Sequence, residues 1–152
     1  MPSTAAIDSF LTQQTIAVVG VSRNPKEFPN AVAEHLRKGG RTVHLVNSQT
    51  DEIAGQHCFR AVSDIPGTLD GVVVMVPAAA ALGVVDDCIA RGVPRVWLHR
   101  GAGAGAVSPE AVARCREAGI EVVDGACPLM FAEPVTWFHK PHRWVVRRRL
   151  TA

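Results

Sequence analysis

The residues that could do chemistry begin at T-I-A-V-V-G-V-S-R-N-P, positions 15 to 25, where a short apolar run meets a tight polar loop. An apolar run bounded by turn signals reads as a buried parallel strand, and the loop after such a strand sits where α/β proteins bind phosphates. Gly20 lets the backbone approach a ligand closely, Ser22 offers a hydroxyl, and a following helix points its free N–H groups at an anion. Together these features predict a nucleotide-like ligand. The loop is not G-x-G-x-x-G, since the corresponding places hold Gly20, Ser22 and Pro25, and no G-K-[ST] makes a phosphate loop of the other common kind. After the second apolar run, where a nicotinamide-dinucleotide fold wants an Asp or Glu for the ribose hydroxyls, stand Asn47 and Ser48. An end without an acid tolerates a more anionic ligand, and Arg23 and Lys26 beside the first loop suit an extra phosphate.

Other reactive side chains read more plainly. Cys127 stands at a strand end with no histidine adjoining it in sequence, so it is read as a buried or half-buried thiol rather than a nucleophile. His99 ends a strand on the ligand side, yet without an identifiable partner it reads as structural. G-A-G-A-G, positions 101 to 105, is a flexible connection rather than a phosphate loop. Ser22 and Asn30 serve as caps as readily as ligand contacts.

The elements that must position these residues alternate between strand-like and helix-like, with glycine or proline at most junctions. An opening helix is expected from Thr4 to Gln13, with Ile7, Phe10 and Leu11 on one face. A second helix is expected from near Asn30, its N-cap, to Gly39 and Gly40. Strand T-V-H-L-V follows, then G-V-V-V-M-V up to Pro77, then a helix to Gly92 with Leu82, Val85 and Ile89 on one face. R-V-W-L-H is the fourth strand and I-E-V-V-D the fifth, with a helix between them opened by Ser108 and Pro109 and stopped by Gly119. Residues 47 to 70 hold too little helical pattern for a crossover helix, so a turn, a short extended piece and one helical turn near Ser63 to Ile65 are expected. The fold class is therefore α/β: a Rossmann-like, doubly wound, five-stranded parallel sheet of expected order 3-2-1-4-5, its crevice between strands 1 and 4.

The 152 residues suffice for one domain with its own core. The four cysteines, Cys58, Cys88, Cys115 and Cys127, have neither paired C-x-x-C spacing nor a regular framework, which argues against a disulfide scaffold or zinc site and for a reducing cytoplasm. The N-terminal stretch lacks a signal-peptide pattern and no run suffices to span a bilayer, so no membrane association is expected. Up to position 133 there are 11 basic against 14 acidic residues, a net −3, whereas Lys140, Arg143, Arg147, Arg148 and Arg149 give the remainder +5. A mildly acidic body with a basic tail disfavours a nucleic-acid-binding domain. Residues 1–133 are read as the ligand-binding domain and 134–152 as a tail whose Trp137, Phe138 and Trp144 anchor it on the body or on a second copy of the chain.

Six motifs stand in order along the chain: I-A-V-V-G-V-S-R-N-P, V-H-L-V-N, D-E-I-A-G-Q-H-C-F, S-D-I-P, V-W-L-H-R-G and C-P. In that register the chain resembles the small stand-alone CoA-binding proteins, whose domain also occurs at the front of the succinyl-CoA ligase alpha subunit and of ADP-forming acyl-CoA synthetases. The similarity covers about residues 10 to 131. The resemblance implies that Gly20, Val21, Ser22 and Arg23 form the diphosphate loop, with Lys26 taking the 3′-phosphate. It implies that Asn47, Val76 and Pro77 border the adenosine, and that Gly101 and Cys127 lie on the side of the fourth and fifth strands. The chain departs from the family where Asn47 is followed by Ser48 rather than Pro, and where His99 replaces a frequent Gln. The ligase relatives need further domains carrying a phosphorylatable histidine and a nucleotide grasp, which 21 residues beyond position 131 cannot encode. The expected function is thus binding of coenzyme A, its thioester or its mixed disulfide, without catalysis. The alternatives are a nicotinamide-dependent enzyme and an interaction protein acting through its basic tail.

Overall fold

A computed structural model describes residues 2–101, 103 and 105–132. Most of the strands form from short β-branched runs bounded by turns. The strands are β1 (Thr15–Val19), β2 (Thr42–Val46), β3 (Glu52–Ile53), β4 (Gln56–Phe59), β5 (Gly71–Val74), β6 (Arg95–Leu98) and β7 (Glu121–Asp124). They join in one sheet of order β3-β4-β2-β1-β5-β6-β7, in which only β3 runs antiparallel to its neighbour. Helices α1 (Thr4–Leu11), α2 (Phe28–Lys38), α3 (Ala78–Arg91) and α4 (Pro109–Glu117) cover its two faces.

Alternation along the central strands builds two cores. Ile16 and Val18 face α1 and α2 with Phe10, Leu36 and Trp97, whereas Ala17 and Val19 face α3 and α4 with Val72, Val85 and Leu98. Apolar side chains on both faces of the central strands are what a parallel sheet sandwiched between helices requires. Trp97 anchors the first core, edge-on to Phe10 at 5.4 Å, with its indole N–H donating to the Ala126 carbonyl at 3.2 Å.

The doubly wound α/β class holds, but the strand order expected from the sequence does not. Residues 47 to 70 contain a hairpin, β3 and β4, and β4 pairs parallel to β2 at its outer edge. That edge was the place assigned to the third expected strand. Gly71–Val74 instead pairs with the free edge of β1, with Val19 beside Val74. The five expected strands therefore run 2-1-3-4-5, and the point where strand order reverses lies between β1 and β5 rather than between the first and fourth strands.

Three smaller expectations also shift. α2 starts at Phe28 with Glu27 as N-cap, because Pro29 is accommodated in the first turn and Asn30 turns its side chain elsewhere. α1 stops at Leu11 rather than Gln13, since the Thr12 backbone N–H already closes the last turn onto Asp8. On α3 the inward face is Ala81, Val85 and Cys88, while Leu82 is exposed; small residues let this helix pack closely on the sheet and α4. α4 behaves as read, with the Ser108 hydroxyl accepting from the Ala111 N–H at 3.1 Å and Gly119 in the left-handed region just past its end. The tail assigned to residues 134–152 lies outside the described residues.

Candidate functional site

In a parallel sheet every carboxyl strand end faces the same edge, so β1, β2, β4 and β5 deliver Gly20, Asn47, Arg60 and Val76 side by side. These four residues line one cavity of about 550 Å³. Its far wall is α3, which presents Ala80, Gly83 and Val84. Beyond its own helix backbone, Gly83 has nothing within 4 Å of where a side chain would begin, so the missing side chain is open space in the wall. Asp87 also borders the cavity, but its carboxylate accepts the Val62 and Ser63 N–H groups at 2.7 and 3.3 Å and so caps the short 3-10 turn Val62–Asp64.

The loop after β1 is held rigidly by two asparagine amides. Asn30 grips Ser22 from both sides: its Oδ1 accepts the Ser22 N–H at 2.8 Å and its Nδ2 donates to the Ser22 carbonyl at 2.7 Å. The same Nδ2 reaches the Asn24 carbonyl at 3.2 Å. Asn47 donates from Nδ2 to the Val21 carbonyl at 2.7 Å, while its Oδ1 accepts the Gln49 N–H, also at 2.7 Å. The Ser22 hydroxyl accepts the Asn24 N–H at 3.1 Å. What the clamps leave over are the N–H groups of Val21 and Arg23, which have no acceptor among the described residues.

Gly20 is required here, though for a reason the sequence did not show. Its φ is +105°, and a β-carbon there would sit 2.5 Å from the Met75 carbonyl oxygen, so it is the neighbouring strand end that excludes a side chain. The Val21 side chain is buried in the first core, leaving only its backbone to the loop. Arg23 and Lys26 are exposed on the loop and do not line the cavity; the cation at the cavity rim is Arg60. The Arg60 guanidinium binds Asp51 at 2.6 and 3.2 Å, and its hydrogen bond and charge hold the Asp51 carboxyl below its usual range.

Pro77 is exposed and accepts the Ala80 and Ala81 N–H groups at the start of α3. Gly101 and Cys127 stand at the β6 and β7 side, away from the cavity. Cys127 is 4% exposed, and burial pushes its thiol up despite hydrogen bonds from the Leu129 and Met130 backbone. Burial likewise raises Cys58, Cys88 and Cys115, the last to about 11. All four cysteines are free and buried.

The sequence reading thus brings Gly20, Asn47 and Val76 to one cavity and Val21, Ser22, Arg23 and Lys26 to its adjoining loop. It missed Arg60, which lies in the unrecognised hairpin segment, while Asn30, read as a cap, caps the loop rather than the helix. It also passed over Gly83, although a glycine in mid-helix is a usable signal, since it weakens the helix unless the missing side chain serves a purpose.

Comparison with known proteins bears on this geometry. A family model described as CoA binding domain matches residues 14–133. The alpha subunit of acetate–CoA ligase [ADP-forming] II from Pyrococcus furiosus is 32% identical over 92 residues, covering 59% of this chain and 20% of that relative. The uncharacterized protein YneT of Bacillus subtilis is 29% identical over 127 residues, covering 83% of this chain and 91% of YneT. The solved structure of a hypothetical protein from Pyrococcus horikoshii OT3 superposes with a TM-score of 0.74 at 30% identity, covering 82% of this chain and 85% of that one. The chain spans a fifth or less of the length of the acetate–CoA ligases it matches first. Among the described residues no helix is long and apolar enough to cross a membrane.

Proposed function

The chain belongs to the CoA binding domain family, and from that premise we propose that the crevice over β1 and β5 binds coenzyme A or one of its thioesters. The observation that carries this reading is the clamped loop beside the cavity. Its fixed backbone keeps the Val21 and Arg23 N–H groups available to a diphosphate, and the cavity of about 550 Å³ next to it has room for an adenosine. The rim supplies Asn47, Ser48 and Gln49 where a nicotinamide-dinucleotide site would place an acid, and Asp87 is already engaged as a cap. Both features favour coenzyme A over NAD.

Lys26 and Arg23 carry the 3′-phosphate in this reading. At a ligand concentration of a hundred times the dissociation constant, CoA should stabilise the protein by about 2.7 kcal/mol, and dephospho-CoA by less at the same concentration. Urea unfolding with each ligand measures this. Equal stabilisation by both removes the 3′-phosphate contact, and none by either removes the CoA assignment.

Binding takes place without acyl transfer or ligation. A thiolate is the nucleophilic form of cysteine, and the four thiols are buried with their ionisation made harder. Incubation with acetyl-CoA or succinyl-CoA, with and without ATP or GTP, should release no free CoA beyond one equivalent per chain. Repeated turnover would make the protein an enzyme.

A further inference from the structure

Beyond the cavity, the same sheet edge continues over the carboxyl end of β6, where His99 follows Leu98. Its backbone is fixed on both sides: the His99 N–H donates to the Val74 carbonyl at 3.0 Å, and its own carbonyl accepts the Ala106 N–H at 2.8 Å. Gly105 lies so close over that carbonyl that a side chain there would collide with it. The imidazole packs on Phe28, the first residue of α2, with ring centroids 5.7 Å apart and a tilt of 48°. Phe28 is 43% exposed and directly follows the clamped loop. Gly101 flanks the ring, where a methyl group would lie 3.5 Å from Cε1 and 4.0 Å from Nε2. That Nε2 is buried and has no hydrogen-bond partner among the described residues. A buried polar atom left unpaired is costly unless something supplies its partner. Burial also lowers the His99 pKa, so the ring meets its partner neutral and suits an uncharged group better than a phosphate.

A ligand with its diphosphate on the loop and its adenosine in the cavity has one remaining arm, and β6, beside β5, is the next strand along that sheet edge. We propose that His99 is a ligand-binding residue whose Nε2 hydrogen-bonds an amide or hydroxyl of the pantetheine arm, while Phe28 forms the apolar surface on which that arm lies. This rests on the CoA reading above, and it gives His99 a role that the sequence alone left structural.

The test compares CoA with adenosine 3′,5′-bisphosphate, which keeps the nucleotide end and lacks the arm, by calorimetric titration of wild type, His99→Phe and His99→Gln. Phenylalanine preserves the ring against Phe28 and removes the hydrogen bond; glutamine restores an uncharged donor and acceptor. The expected result is CoA binding weakened about tenfold in His99→Phe, recovered in His99→Gln, with the bisphosphate unaffected by either. Should His99→Phe not fold, the wild-type imidazole 15N resonances report directly, shifting with CoA and not with the bisphosphate. Unchanged CoA affinity, an equal loss for both ligands, or resonances indifferent to CoA would overturn the assignment. Wild type that binds neither ligand would instead bring down the CoA reading itself, and this role for His99 with it.

Discussion

At the scale of single residues, the site is governed by side-chain amides rather than charges. Asn30 satisfies both the N–H and the carbonyl of Ser22, a task that needs a donor and an acceptor on one short planar group. Asn30→Asp keeps the acceptor but turns the donor into an oxygen facing the Ser22 and Asn24 carbonyls. That substitution should lower CoA affinity at least tenfold while costing only about 1–3 kcal/mol of stability, measured by titration and urea unfolding on the same protein. Undiminished affinity in Asn30→Asp would show that the clamp is not what presents the loop. Gly20 teaches a different lesson, because the Met75 carbonyl and a φ of +105° already demand glycine there whatever binds. A bulky substitution there damages the strand end first, so loss of binding in such a variant would say little about the ligand.

Among the elements, α3 faces two demands at once. Gly83 weakens the middle of the helix and simultaneously opens the cavity wall. Gly83→Ala should therefore gain about 0.5–1 kcal/mol of stability, whereas Gly83→Leu should keep the fold and lose ligand affinity as its side chain enters the cavity. Thermal unfolding and CoA titration of the two variants check both halves, and full affinity in Gly83→Leu would place the adenosine elsewhere. The helices and the five long-range strands were legible because their apolar periods are clean and Gly39, Gly92, Ser108 and Gly119 mark their ends. The hairpin β3–β4 was not. Its two-residue turn is Ala54–Gly55, with φ of +50° and +75°, and alanine at such a position gives no turn signal of the kind Asn or Asp would. Missing it displaced the third expected strand and, with it, the predicted crevice and Arg60. Leu82 misled for another reason, since α3 buries small residues and leaves its largest apolar side chain outside.

Across the whole molecule, no carboxylate or cation of the described residues is fully buried, and the groups nearest neutral pH whose ionisation burial alters are two half-buried imidazoles. Burial lowers the pKa of His44, packed edge-on against Phe59, and of His99 below the ordinary value of 6.5. The unfolded chain therefore binds protons more readily than the folded one as pH falls below about 6.5, and stability is lost across that window. The urea midpoint should drop between pH 7.5 and pH 5.5, and the drop should shrink in His44→Gln/His99→Gln; an undiminished drop would assign it to other groups. The paired asparagine clamps also bear on the tempo of binding. With the loop held by Asn30 and Asn47 before ligand arrives, docking needs no separate ordering step. Stopped-flow association rates should consequently rise in proportion to CoA concentration without reaching a plateau, whereas saturation would reveal a slow rearrangement of the loop. In that one-step regime CoA and dephospho-CoA should arrive at similar rates and differ chiefly in how long they stay, so that the 3′-phosphate governs residence time.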